Sequence, residues 1–346
     1  MADRDVEVTF QRFTWRMLSQ YVTPWELERL TEEIQRWDQW CDAFSADARR
    51  HLDLADSAAA AGNGRTAGDA YIRAALFYHW ATFLYGPDQE RFVAGMEAMN
   101  DCWAKAAPFV GMELFTVPFE GSDLPGFLLK PSGVDQPPIV LLVPGGDSTK
   151  EELYDFALHM VERGLAVAAF DGPGQGLVSL TSKIRPDYEV PIRAVVDHLL
   201  ARGDLDGDRL AVGGISYGGL FACRAAAFDD RVKAVVSVSS WYTPAGRFPT
   251  IDRVSQEALR QYMGDDPAAV MDSITMAGAA ERIAVPLLQV YGGLDKASPP
   301  EHAYRVEAEV PGPCTTIIYD DGVHVCNNLY PIVRPMIADW LSTQLT

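Results

Sequence analysis

The chain changes texture once, near residue 110. Up to there, apolar residues recur at three- and four-residue spacing, as in Trp25, Leu27, Leu30, Ile34, Trp37 and Trp40, and strand-like alternation is absent, which predicts helices throughout. Thr23-Pro24-Trp25-Glu26 supplies a cap residue, a proline at the first helical position and a glutamate three residues after the cap, so a helix starts there. Gly62-Asn63-Gly64 and Gly86-Pro87-Asp88 punctuate the helices, and the segment between them is crowded with Tyr71, Phe77, Tyr78, His79, Trp80, Phe83 and Tyr85. From about 112 onward, short apolar runs alternate with helical patterns, the sign of a mostly parallel sheet covered on both faces. Eight strands are expected, near 113–119, 124–130, 138–143, 165–170, 209–213, 233–238, 286–291 and 314–319, the first two forming an antiparallel hairpin across Gly121-Ser122-Asp123. The predicted organisation is an all-helical domain, 1–110, roofing an α/β domain, 111–346.

One strand carries chemistry at its end. Arg209 to Gly213 runs into Gly214-Ile215-Ser216-Tyr217-Gly218, and Leu220 to Phe228 then reads as a helix. A strand-to-helix turn this sharp needs small residues two before and two after the serine, and it holds the hydroxyl out above the sheet in a strained conformation. A serine is a weak nucleophile at neutral pH and needs a base within hydrogen-bond reach, oriented by a carboxylate. Leu287 to Tyr291 leads into Gly292-Gly293-Leu294-Asp295, and Thr316 to Tyr319 leads into Asp320-Asp321-Gly322-Val323-His324. The expected relay is Ser216, His324 and Asp295, with Asp320 and Asp321 as alternative acids. His51 and His79 lie in the helical half, and His159, His198 and His302 within expected helices, so only His324 follows a strand. An oxyanion hole needs two preorganised backbone N–H groups. Tyr217 supplies one, and Pro144-Gly145-Gly146-Asp147, after the third strand, supplies the other from Gly146 or, alternatively, Asp147.

Composition narrows the setting. The 346 residues, 48% of them hydrophobic, suffice for a catalytic domain and a smaller accessory one. Charged Asp3, Arg4, Asp5, Glu7, Arg12 and Arg16 interrupt the first residues, and no stretch is long enough to span a bilayer, so neither a signal peptide nor membrane association is expected. The five cysteines are scattered without metal-ligand spacing, which points to a reducing cytoplasm and away from disulfides or a metal site. Forty-eight acidic against 29 basic residues give a net charge of −19, a field that repels nucleic acid and favours neutral or cationic small molecules. Asp171-Gly172-Pro173-Gly174-Gln175-Gly176 lacks the complete dinucleotide fingerprint and Gly145 to Lys150 is too short for a phosphate-binding loop, so no cofactor is expected.

These motifs carry a resemblance. Ala70-Tyr71-Ile72-Arg73-Ala74-Ala75, Pro144 to Glu152, Asp171 to Gly176, the Ser216 elbow, Gly322 to Leu329 and Ala338-Asp339-Trp340-Leu341 together resemble the 2,6-dihydroxypseudooxynicotine hydrolase family of α/β-hydrolases. That family is related to polyketide-shortening hydrolases and to fermentation-respiration-switch-like esterases. The resemblance implies a cofactor-free, often dimeric α/β-hydrolase that cleaves a carbon–carbon bond beside a ketone. The family looks to use an additional glutamate after the sixth strand, whereas Trp241 to Thr250 contains no acid, which implies a different substrate.

For the substrate, Arg73, Phe77, Tyr78, Trp241 and Tyr242 are candidates to line a pocket for an aromatic or polyketide-like molecule, although an aromatic stripe at helical spacing also serves as a domain core. Arg73, a charge inside that stripe, is expected to pair with an acid across the domain boundary. Carbon–carbon cleavage, ester, amide or lactone hydrolysis, and a non-catalytic binding role are the three readings, and the third is disfavoured by the complete set of Ser216, Asp295 and His324.

Overall fold

The computed structural model describes residues 2–85 and 88–346. Gly86 and Pro87, two of the three residues of one expected helix break, lie outside the described residues. The chain divides into two compact units: the residues up to Leu114 together with Ile251–Gln261, and Phe115–Thr250 with Tyr262–Thr346.

The first unit is helical. Its helices are α1 (Arg4–Leu18), α2 (Pro24–Glu33), α3 (Trp40–Ala60), α4 (Gly64–Thr82) and α5 (Gln89–Val110). The start of α2 is a full capping box: the Thr23 hydroxyl accepts from the Glu26 N–H, and the Glu26 carboxylate accepts from the Thr23 N–H at 2.8 Å. Helix α3 ends at Ala60, and the φ of 77° at Gly62 allows the chain to reverse into α4. Helix α4 is buried almost all the way round, which its run Ala70 to Trp80 makes affordable only at the centre of a bundle, between α3 and α5. The Trp40 indole donates to the Trp80 carbonyl at 2.8 Å, so the ring buries without losing its hydrogen bond. Residues 251–261 join this unit through ion pairs of Arg12 with Asp252 and of Asp5 with Arg253.

The second unit holds an eight-stranded sheet: β1 (Met112–Phe119), β2 (Ser122–Leu129), β3 (Pro138–Val143), β4 (Ala166–Phe170), β5 (Asp206–Ile215), β6 (Val232–Val238), β7 (Leu287–Gly292) and β8 (Cys314–Tyr319). Every expected strand is present. The order is β1-β2-β4-β3-β5-β6-β7-β8, with β2 antiparallel to β4 and every pair from β4 to β8 parallel. The connection between β1 and β2 is tighter than expected: Glu120 and Gly121 both take positive φ, 47° and 82°, so β2 begins at Ser122. The crossovers carry α6 (Tyr154–Val161), α7 (Glu189–Leu200), α8 (Tyr217–Phe228), α9 (Arg253–Met263), most of which belongs to the first unit, α10 (Pro267–Ser273) and α11 (Glu301–Glu309), and α12 (Tyr330–Gln344) is the last helix. Strands β3 and β4 are buried along their whole length, as continuous apolar runs in a sheet covered on both faces must be.

The order reverses at β3: the chain moves from β3 outward to β4, then returns to the other side of β3 as β5. Loops leaving the carboxyl ends of β3 and β5 diverge there, which opens a crevice. Among the described residues no helix is long and apolar enough to cross a membrane.

Candidate active site

Ser216 stands between β5 and α8 with φ 57° and ψ −125°, a conformation that L-residues avoid and that the surroundings must enforce. The enforcement is steric and can be read from the two flanking glycines. A Cβ on Gly214 would lie 2.1 Å from the Gly218 carbonyl oxygen, and one on Gly218 would lie 2.1 Å from that of Val143. The strand end, the loop after β3 and the first turn of α8 thus approach closer than any side chain permits. The Ser216 N–H donates to the Val238 carbonyl at 2.8 Å, which ties the turn to β6.

Asp295 and His324 arrive from the loops after β7 and β8. Those loops close on each other because Gly292 and Gly293 carry no side chain: a Cβ on the first would meet the Gly322 carbonyl oxygen at 2.3 Å and one on the second that of Asp320 at 2.7 Å. His324 Nε2 lies 3.1 Å from Ser216 Oγ, and His324 Nδ1 lies 2.7 Å from Asp295 Oδ2. The three residues expected from order along the chain are therefore brought together. The alternative acids Asp320 and Asp321 are exposed, and the carboxylate on the imidazole is that of Asp295.

Asp295 is 3% exposed. Burial alone pushes its pKa up, but the neighbouring imidazole, its hydrogen bond, and the N–H and hydroxyl of Ser298 outweigh burial and hold it below the usual carboxylate range. Its Oδ1 accepts from the N–H groups of Ala297 at 2.8 Å and Ser298 at 3.0 Å. An ionised carboxylate only accepts, so Nδ1 of His324 carries a proton and Nε2 is the nitrogen turned to the Ser216 hydroxyl. An imidazole so held can take the serine's proton as the oxygen attacks a carbonyl.

Tyr217 is the first residue of α8, with no preceding helical turn to receive its N–H. Its ring packs on the loop after β3, where a Cβ on Gly146 would come within 2.9 Å of Tyr217 Cδ2 and one on Gly145 within 3.4 Å of Ser216 Cβ. Gly146 and Tyr217, the two expected donors, thus lie side by side next to the serine. Among the described residues no cluster of His, Cys, Asp and Glu has the arrangement of a metal site.

The expected substrate residues separate. The Trp241 ring lies 5.9 Å from that of His324 and 4.6 Å from that of Tyr217, with its indole donating to the Ala297 carbonyl at 3.0 Å. Tyr242, its neighbour, turns toward α11: its hydroxyl donates to Glu309 at 2.8 Å and its ring lies under the Arg305 guanidinium. Phe77 is fully buried in the helical unit against Phe44 and His51, and Tyr78 is buried on the same helix. Arg73 pairs with Glu26 at 2.9 Å, so its partner is an acid of its own unit rather than one across a boundary. Glu26 offers three-way satisfaction there, since His51 and Thr23 also reach it.

Three further residues hold the site and were not anticipated. The Ser298 hydroxyl bridges Asp295 Oδ2 at 2.9 Å and the Ser239 carbonyl at 2.6 Å. The Ser239 hydroxyl accepts from the Val325 N–H at 2.9 Å. Asn328 accepts from the Val323 N–H at 2.9 Å and donates to the Asp321 carbonyl at 2.8 Å, stapling the loop that carries His324. That loop needs a staple, because Val325 and Cys326 both sit at positive φ, 61° and 51°. The sequence signal for Ser298 and Asn328 was only polarity near Asp295 and His324, and Ser239 had none.

Comparison with known proteins places the chain among relatives. Residues 40–243 match the FrsA-like esterase family. The chain is 29% identical over 316 residues to the 2,6-dihydropseudooxynicotine hydrolase of Paenarthrobacter nicotinovorans, covering 87% of this chain and 83% of that one. A crystal structure of a 2,6-dihydroxy-pseudo-oxynicotine hydrolase superposes with a TM-score of 0.87 over 96% of both chains at 27% identity. Hydrolase LUC6 of a Fusarium species is 40% identical over 216 residues, 58% of this chain and 51% of its own. The 20-hydroxy-prefusarin hydrolase FUS2 of Gibberella moniliformis is 36% identical over 216 residues, with the same coverage. The chain thus spans about half the length of these fungal relatives. With the family matched over more than half the chain's length and the serine elbow inside the matched residues, this chain has the α/β-hydrolase fold and belongs to the FrsA-like esterase family.

Proposed function

We propose that this hydrolase cleaves a carbon–carbon bond next to a ketone in an aromatic or polyketide-like small molecule, through an acyl-enzyme on Ser216. The observation that supports it is the likeness to a pseudooxynicotine hydrolase over 96% of both chains, the helical unit included. Ser216 Oγ attacks the ketone carbon while His324 Nε2 takes its proton, and the N–H groups of Tyr217 and Gly146 receive the alkoxide. When the alkoxide collapses, the carbon–carbon bond breaks and its electron pair leaves with the departing carbon, which takes the proton back from His324. Water, deprotonated by the same imidazole, then releases the acid and restores the serine.

No carboxylic acid lies within residues 241–250, which favours a substrate whose leaving carbon is stabilised by its own groups, as an electron-rich ring or a second carbonyl does. Trp241, against both His324 and Tyr217, is the wall suited to a flat substrate. The match to an esterase family favours a second reading, hydrolysis of an ester or related bond by the same residues.

The discriminating experiment is a panel of aryl ketones, β-diketones and matched esters, with products identified by mass. Turnover of ketones to a carboxylic acid and a protonated carbon fragment is the expected outcome; turnover of esters and amides alone would eliminate carbon–carbon cleavage. Labelling of Ser216 by an alkyl fluorophosphonate separates both readings from a non-catalytic role.

A further inference from the structure

The Asp171 to Gly176 loop, which follows β4, performs none of the steps above, yet its Gln175 side chain is 1% exposed and uses both its N–H donors and its carbonyl oxygen in hydrogen bonds. Nε2 donates to the carbonyls of Pro144 at 2.9 Å and Gly145 at 3.0 Å. Oε1 accepts from the Gly172 N–H at 2.9 Å and faces the Tyr188 hydroxyl at 3.0 Å. The amide's orientation is unambiguous, since reversal would set an oxygen against two carbonyls and an NH2 against an N–H.

Pro144 and Gly145 are the residues just before the expected oxyanion donor. A trans peptide points its C=O and N–H in opposite directions. With the Gly145 carbonyl turned to Gln175, the N–H of Gly146 must face the other way, away from the Gln175 loop. The peptide most in need of such a hold is this one, because it joins two glycines and lacks the side chains that resist a flip. Flipped, it would aim a carbonyl lone pair where the alkoxide forms.

The far end of the same segment is held from the same place. Asp171 accepts from the Lys150 N–H at 2.7 Å and from Lys150 Nζ at 2.8 Å. The holding loop is itself tight: Gly174, at φ 82°, has no room for a Cβ, which would fall 2.4 Å from Ile184 Cγ1.

We propose that Gln175 is the positioning residue of the oxyanion hole, its carboxamide fixing the Gly145–Gly146 peptide so that the Gly146 N–H is presented to the alkoxide. The proposal rests on Ser216 acting as nucleophile, and the test separates the two. The probe is an alkyl fluorophosphonate, whose second-order rate with the full-length protein reads stabilisation of an oxyanion on phosphorus and needs no natural substrate. Wild-type protein is compared with Gln175→Ala and with Gln175→Glu, which keeps the shape and both acceptor functions but loses both donors. The expected result is labelling of wild-type Ser216 and a fall of roughly 10²-fold in rate for both variants, the scale of losing one oxyanion donor, with the pH profile of labelling unchanged. Wild-type rates in folded variants overturn the proposal, and so does a slowed rate with a shifted pH profile, which would mean that Gln175 acts through His324. No labelling of the wild type defeats the nucleophile assignment instead. Should both variants fail to fold, a crystal structure of the wild-type protein with a boronic acid on Ser216 decides. A boron-bound oxygen on the Gly146 N–H, with Gln175 still on both carbonyls, supports the clamp; a flipped Gly145–Gly146 peptide refutes it.

Discussion

At Ser216 the hydroxyl and the backbone answer to different demands. The hydroxyl serves chemistry, while the turn is imposed by Gly214 and Gly218 pressed against neighbouring carbonyls. Ser216→Ala should therefore remove nearly all turnover and leave the thermal midpoint unchanged; wild-type-like rates from purified variant would refute its role. Gly218→Ala should do the opposite kind of damage, destabilising the fold by at least about 4 kcal/mol, because its Cβ has nowhere to go near the Val143 carbonyl. Denaturant titration checks this, and a change under about 1 kcal/mol would show that the strand and helix can part. Asp295→Asn preserves shape but offers an amide where Nδ1–H needs an acceptor, so kcat should fall about 10⁴-fold through the wrong imidazole tautomer. Steady-state rates on any accepted ester measure it.

Among the elements, α2 shows what a local signal can and cannot tell. Thr23-Pro24-Trp25-Glu26 announced a helix start, and the capping box is there. The same glutamate also anchors Arg73 and His51 from other helices, contacts between residues 47 and 25 positions apart that leave no mark in periodicity. Burial pushes Glu26 up, but hydrogen bonds from His51 and Thr23 and the Arg73 charge win and hold it at about 2, against 4.5 for the free side chain. A depressed pKa stabilises the fold fully above the unfolded value and less as the folded value is approached from above. The contribution, on the order of 2–3 kcal/mol, should thus be intact above about pH 5 and fade between pH 4.5 and 2. Glu26→Gln should lower stability near neutral pH and converge with wild type toward pH 2; parallel curves across that range would show that the network contributes nothing. The strands were legible for the reason this network was not: their signal is short-range alternation and apolar runs. At the end of β6, adjacent Trp241 and Tyr242 were equal candidates in sequence, yet one ring faces His324 and the other α11. Side chains of successive residues diverge, and only the fold says which one meets the site.

For the molecule as a whole, order along the chain was enough to find Ser216, Asp295 and His324, because the sheet topology fixes which loops share a crevice. What escaped was the hydrogen bonding that holds those loops, by Ser298, Asn328 and Gln175, since each acts across loops distant in sequence. The net charge of −19 acts at the largest scale. Matched cationic and anionic esters should differ in kcat/KM at low ionic strength in favour of the cation, and the difference should shrink as salt rises toward 0.15 M, where the Debye length is about 8 Å. Salt-independent ratios would mean that the field at the crevice is set locally. The enclosed thiols have a practical consequence. Cys41, Cys102, Cys223 and Cys326 are free and buried, and burial pushes the last three up to about 12, so none offers a thiolate to an alkylating reagent while the native packing lasts. Each becomes reactive only when its surroundings open. Two of these sulfurs belong to the helical unit and two to the unit with the sheet, so mass-resolved alkylation during slow denaturant exposure would clock the opening of each half separately, using timepieces already built into the chain.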